Sequence, residues 1–276
     1  CGVLGLRLVK ITVNFDDHRS YHFYYGDELG RPGSIMTFFA GAGWRKGHIG
    51  TSQCTITSFA VPHNALDFWT DRLEAHRVPR MPVFQRFGEH VLPLADPDGL
   101  QLEIIATEQP GGTPWVSGPI PEAVAIRGFH GVTLAEEGHE QTARLLTESM
   151  GYTLQHREDN RFRYRTENPE NLATTIDLLC MPDARRGRMG SGVVHHVAFR
   201  TSNESEQQQW LNHISSLGHS TSPILDRNYF QSIYFREPGG VLFEIATPTP
   251  GFAVDEDIAA LGTSLKLPTQ YEPMRH

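Results

Sequence analysis

A chain of 276 residues is long enough for one large or two ordinary domains, each able to bury its own core. With 39% hydrophobic and 20% charged residues, it has the balance of a globular protein and not of a disordered chain. A net charge of −8 argues against a nucleic-acid backbone as the main partner, and no apolar run reaches the ~18 residues of a membrane span.

The chain opens on Cys1, and Val3-Leu4-Gly5-Leu6 reads as the end of a helix already under way, because Gly commonly stops a helix before an extended run. Residues upstream of Cys1 are therefore expected. Extended runs follow at Val9–Val13, Tyr21–Tyr25 and Ser34–Phe38. Next come a strand at Thr55–Phe59, a helix over Ala65–Ala75 and the turn Asp96-Pro97-Asp98-Gly99, which feeds a strand through Ile104. Gln109–Pro121, rich in Gly and Pro, reads as a linker.

A strand at Phe129–Leu134, a helix from Glu140 to Met150 stopped by Gly151, and a strand at Thr175–Leu179 come after it. Arg185-Arg186-Gly187-Arg188 is a local basic cluster, read as a solvated loop between units. The last stretch has a strand at His195–Phe199, a helix from Glu204 to Leu217 stopped by Gly218, and the turn Glu237-Pro238-Gly239-Gly240 before the strand Val241–Ile245. Three scattered cysteines (Cys1, Cys54, Cys180) without C-x-x-C spacing argue against a disulfide framework and fit a cytoplasmic protein.

These elements repeat. The two acidic-Pro-x-Gly turns head matching strands, and each unit reads strand-helix-strand-strand-strand, the first having lost its opening strand. The expected class is α+β, with four βαβββ modules. Modules one and two occupy residues 1–108, a linker 109–125, modules three and four 126–250, and a tail 251–276.

Two positions can be compared between units, one in the first strand and one in the last. The second unit has Ile56 and Glu103, the third Gly131 and Asp177, and the fourth His196 and Glu244; the first unit ends on Thr37. An imidazole and a carboxylate meet only in the fourth unit. Strand alternation puts His196 on the Ala198 face and turns His195 away, while Glu103 and Asp177 read as polar positions facing a cavity or solvent. A strand Glu among apolar neighbours is costly unless paired or metal-bound.

Two His and one carboxylate would leave coordination positions open on a ferrous ion. The missing His is expected about sixteen to eighteen residues upstream of residue 1, at the distance that separates first strand from helix stop in the other units. The remaining histidines, such as His18, His48, His63, His139 and His219, read as solvated loop or helix-end residues.

The module resembles that of the vicinal oxygen chelate superfamily. More narrowly, the chain resembles the hydroquinone-type ring-cleaving dioxygenases over essentially its whole length. Residues 2–17, 21–39, 86–103, 126–134, 187–200 and 225–257 carry that resemblance, the last as LDRNYFQSIYFREPGGVLFEIATPTPGFAVDED. The resemblance implies an Fe(II) site, with Mn(II) as the other candidate, held by His196, Glu244 and a His before Cys1. It places His195, Arg227 and Tyr234 around the metal as catalytic residues.

It also implies a small aromatic substrate and O2 as partners, with neither nucleic acid nor membrane, and a homo-oligomer is compatible with it. Arg227 would hold an aromatic oxyanion, Tyr234 would donate to bound oxygen species or move a proton, and His195 would act as a proton relay. The alternatives are a glyoxalase-type isomerase or lyase, and a metal-free binding or resistance protein on the same scaffold.

Overall fold

The computed structural model describes residues 1–41, 43–108, 110–167 and 172–275. Gln109 and His276, at the outer bounds of the expected linker and tail, lie outside the described residues.

The first unit contributes β1 (Arg7–Val13), β2 (Tyr21–Gly26) and β3 (Met36–Ala40), an antiparallel sheet in that order. The second runs β4 (Gln53–Pro62), α1 (Leu66–Ala75), β5 (Phe84–Arg86), β6 (Glu89–Ala95) and β7 (Gln101–Thr107). The third is β8 (Gly128–Glu136), α2 (Glu140–Arg144), β9 (Thr153–Glu158), β10 (Arg161–Arg165) and β11 (Thr175–Cys180). The fourth is β12 (Val197–Arg200), α3 (Glu204–Ser216), β13 (Leu225–Asp226), β14 (Gln231–Arg236) and β15 (Leu242–Ala246). The α+β reading and the repeat hold.

The repeated turns explain themselves. Asp96 accepts from the amides of Asp98 (2.9 Å) and Leu100 (2.8 Å), and Glu237 accepts from those of Gly239 (2.8 Å) and Val241 (2.7 Å). Gly99 and Gly240 then take positive φ, +92° and +97°, a region that costs a residue with Cβ. The acid satisfies the turn's amides and the Gly reverses the chain into β7 and β15.

The helix expected as far as Met150 differs: it is α-helical only over Glu140–Arg144 and widens to a π turn over Leu145–Ser149. Gly151, at φ +73°, still ends it.

Sheets form across units. The second and third share an eight-stranded sheet, ordered β5-β6-β7-β4-β8-β11-β10-β9, because their first strands β4 and β8 pair antiparallel at its centre. The fourth unit forms β12-β15-β14-β13. The first and fourth units face one another: segments 45–51 and 185–191 run side by side through bridges at Lys46–Ser191, His48–Arg188 and Thr51–Arg186.

One core packs α1 through Trp69 and Leu73 against β4, β6 and β7, and takes in Ile120 and Ile126 from around the expected linker. A second gathers Leu146, Ile214, Phe235 and Phe243 beneath α2 and α3. The tail binds the first unit's outer strand: Lys10 is fully buried between Asp255 and Glu256, both at 2.5 Å, and the amide of Lys266 donates to the carbonyl of Ile11.

Candidate metal centre between the first and fourth units

Glu244 sits in the middle of β15, opposite Ala198 of β12 on one side and Tyr234 of β14 on the other. It is 3% exposed. Such a carboxylate must be paired, and it is: His196 Nε2 lies 2.7 Å from its Oε2, while the hydroxyls of Ser232 and of Tyr234 (2.9 Å) donate to Oε1. Burial pulls the Glu244 pKa upward, but the bonds from His196, Ser232 and Tyr234 outweigh it and leave the group below its ordinary value. The same environment acts oppositely on Tyr234, whose phenol is pushed well above its usual pKa by burial and by the Glu244 charge.

His195 corrects the sequence reading. Strand alternation was expected to aim it away from His196, yet its Nδ1 lies 2.9 Å from His196 Nδ1. The reason is local: the ladder of β12 begins at Val197, so both histidines stand before the regular pleat, where alternation has no hold. Burial, then the His196 charge, push the His195 pKa down to about 4, so its imidazole is neutral at physiological pH.

Arg227 follows β13 and closes the site toward the first unit. Its guanidinium binds Asp16 with both nitrogens, at 3.1 and 2.9 Å, and lies over the rings of Tyr234 (5.5 Å) and Phe15 (5.8 Å). All five sequence-expected residues (His195, His196, Arg227, Tyr234 and Glu244) therefore come together.

Asp16 and the first-unit residues His22, Tyr24 and Phe39 were missed. Phe39 meets His195 edge-on at 5.6 Å, and the His22 ring lies tilted at 4.0 Å from Tyr24 and 4.3 Å from Phe39. A signal for two of them was present. Tyr24 pairs with Thr37 as Tyr234 pairs with Glu244, so His22 and Tyr24 occupy in β2 the places of Ser232 and Tyr234 in β14.

The corresponding face of the second and third units corrects another expectation. Glu103 and Asp177 face neither solvent nor a cavity. Arg86 grips Glu103 with two nitrogens (2.9 and 2.5 Å), and Ser58 donates to the same carboxylate. Asp177 is held by Arg163 (2.7 and 3.0 Å) and Arg161 (3.0 Å). Glu89 joins this network through Arg163 and His130. Three guanidiniums thus fill the face that the fourth unit keeps for an imidazole and a carboxylate. His139 departs too: it is half-buried, with its ring 3.7 Å from that of Phe162.

His196 and Glu244 fit two ligands of one metal. Their 2.7 Å separation is close to the ~3 Å between two donors on adjacent ~2.1 Å metal bonds. Among the described residues, no group of three or more His, Cys, Asp or Glu converges as a complete metal cage. No helix among them is long and apolar enough to cross a membrane.

Residues 128–245 match the model of the Glyoxalase/Bleomycin resistance protein/Dioxygenase superfamily. The fold alone is shared with glyoxalase I from Zea mays, 15% identical, with a TM-score of 0.64 over 88% of this chain and 84% of that one. Nearer relatives narrow this. A protein of Bacillus subtilis (strain 168) provisionally named ring-cleaving dioxygenase MhqO is 48% identical over 99% of this chain and 86% of its own length. A crystal structure of a provisionally named dioxygenase from Bacillus subtilis subsp. subtilis str. 168 superposes with a TM-score of 0.94, also at 48% identity, covering 99% of this chain and 87% of that one.

The chlorohydroquinone/hydroquinone 1,2-dioxygenase of Sphingobium indicum is 36% identical over 99% of this chain and 86% of its own length. The chain belongs to this superfamily, and within it to the family of these ring-cleaving dioxygenase relatives.

Proposed function

We propose that the protein is a ring-cleaving dioxygenase that opens hydroquinone-like phenolic rings with O2, using Fe(II) held by His196 and Glu244. The observation that carries this reading is the convergence of His196 Nε2 and Glu244 Oε2, with Tyr234, His195 and Arg227 around them. The 36% identity to a protein named for hydroquinone dioxygenation supports the substrate class. A second imidazole beside this pair would complete the two-His, one-carboxylate set that leaves positions open for substrate and O2. Mn(II) is the second candidate metal.

A bound ferrous ion would supply a positive centre that acidifies a phenolic hydroxyl and lets electrons pass from ring to O2. The chain's own residues do the rest. If Nε2 held the metal, the Nδ1–H of His196 would donate a hydrogen bond to His195 Nδ1, 2.9 Å away. His195, accepting at Nδ1, would then carry its own N–H on the other ring nitrogen and donate it to a bound phenolic oxygen. The Tyr234 hydroxyl fixes one oxygen of Glu244 at 2.9 Å, which orients the other toward His196. Arg227, anchored by Asp16, provides a fixed positive charge for ring oxyanions. In the overall reaction a ring carbon–carbon bond is cleaved and both atoms of O2 enter the product.

The glyoxalase-type alternative has weaker support. That chemistry calls for a further carboxylate or amide ligand, and the first-unit position matching Glu244 is Thr37.

Oxygen uptake tests the proposal. Protein loaded anaerobically with Fe(II) is expected to consume O2 on addition of hydroquinone, and Glu244→Ala to consume none. Isomerisation of a glutathione hemithioacetal, with no uptake on any hydroquinone or catechol, would sink it.

A further inference from the structure

His22 is the one imidazole of the first unit that the reactions above leave without a task while it faces the same site. It is 7% exposed, and its Nε2 is buried without a hydrogen-bond partner. An unpaired buried acceptor or donor is costly to keep, so a retained one calls for a partner that comes and goes.

Its surroundings say which partner. Its ring contacts those of Tyr24 (4.0 Å) and Phe39 (4.3 Å), and Phe39 in turn meets His195 edge-on. After burial itself, the charges of His196, Arg227 and His195 are what hold its pKa down, so all three lie within electrostatic reach. By register, His22 stands on β2 where Ser232 stands on β14. The Ser232 hydroxyl is committed to Glu244, whereas the Nε2 of His22 has no hydrogen-bond partner. The metal-side pair thus has, facing it from the first unit, two aromatic rings and one free nitrogen.

We infer that His22 is the specificity-determining residue for the ring's second hydroxyl: its Nε2 pairs with the phenolic oxygen remote from His196 and Glu244. The inference rests on the proposed dioxygenase reading and deepens it. An aromatic ring carrying one hydroxyl would satisfy the metal side and leave Nε2 unpaired. A dihydroxylated ring would satisfy both ends. Sites built to bond a hydroxyl discriminate strongly against analogues lacking it, because the protein's own polar group is then stranded.

Anaerobic calorimetric titration of the Fe(II)-loaded protein with hydroquinone and with phenol separates the possibilities, since no turnover is needed. His22→Phe keeps an aromatic shape and removes the nitrogen; His22→Gln restores a polar atom near the Nε2 position. Expected are a roughly tenfold or greater weakening of hydroquinone binding in His22→Phe, a change of less than about threefold for phenol, and recovery in His22→Gln. Thermal midpoints of both variants verify that they fold. Equal weakening of both ligands assigns His22 to packing and overturns the inference, as does no change in either. A wild-type protein that binds neither ring overturns the dioxygenase reading itself, and the His22 assignment with it.

Discussion

Replacing Glu136 with glutamine is expected to stabilise the protein increasingly as pH rises. Glu136 ends β8 and is fully buried, and neither of its carboxyl oxygens has a hydrogen-bond partner. Beside it Glu237, 2% exposed, already accepts from Thr142 (2.6 Å), Gly239 and Val241. Three donors keep Glu237 the better anion, so Glu136 is the group that holds a proton. Desolvation first, then the Glu237 charge, raise its pKa far above the ordinary 4.5.

The sign follows from linkage. A folded-state pKa above the unfolded one gives stability that is fully present below about pH 4.5 and lost as pH rises toward the folded value. The slope is about 1.4 kcal/mol per pH unit, so the interval from pH 5.5 to 7.5 costs at most about 3 kcal/mol. Glutamine has the same shape, does not titrate and can donate to Glu237. Urea unfolding, followed through the buried Trp69, gives the variant-minus-wild-type difference at each pH; the other titrating groups cancel. A difference that stays constant within about 0.5 kcal/mol between the two pH values would refute the protonated-Glu136 reasoning.

Other outcomes are equally specific. Glu103→Ala strands the buried Arg86 guanidinium and is expected to cost about 3–5 kcal/mol by denaturant unfolding; a loss below about 1 kcal/mol contradicts the filled-face description. Asp16→Ala removes an anchor whose side chain is 71% exposed, so stability should move by less than about 1 kcal/mol while kcat/KM falls about tenfold. Steady-state kinetics beside a melting curve decide it, and a stability loss without a kinetic one counts against the anchoring role. Tyr234→Phe takes one donor from Glu244 and is expected to lower kcat by about 10- to 100-fold with KM nearly unchanged; a rise in KM alone would make Tyr234 a substrate-binding residue only.

What could be read from the sequence follows from where local patterns dominate. The acidic-Pro-x-Gly turns were legible because backbone chemistry confines acid, Pro and Gly to such places, and they fixed the strand register on which the His196–Glu244 comparison depends. His195 was misjudged because alternation was carried two residues past the first paired position of β12. Glu103 and Asp177 were misjudged because their partners, Arg86, Arg161 and Arg163, lie on other strands of the sheet and leave no local signature. Asp16 reaches Arg227 across 211 residues of sequence, a contact that no periodicity encodes. His22 was within reach: aligning β2 with β14 would have set it beside Ser232.

Isotope labelling tests the central claim most directly. The Fe(II)-loaded protein is to be mixed with hydroquinone under 18O2, and the product analysed by mass spectrometry. The His196–Glu244 site described above is expected to yield a ring-opened acid carrying both labelled atoms, with none formed by His196→Ala. An unlabelled product, or an intact ring, would contradict it.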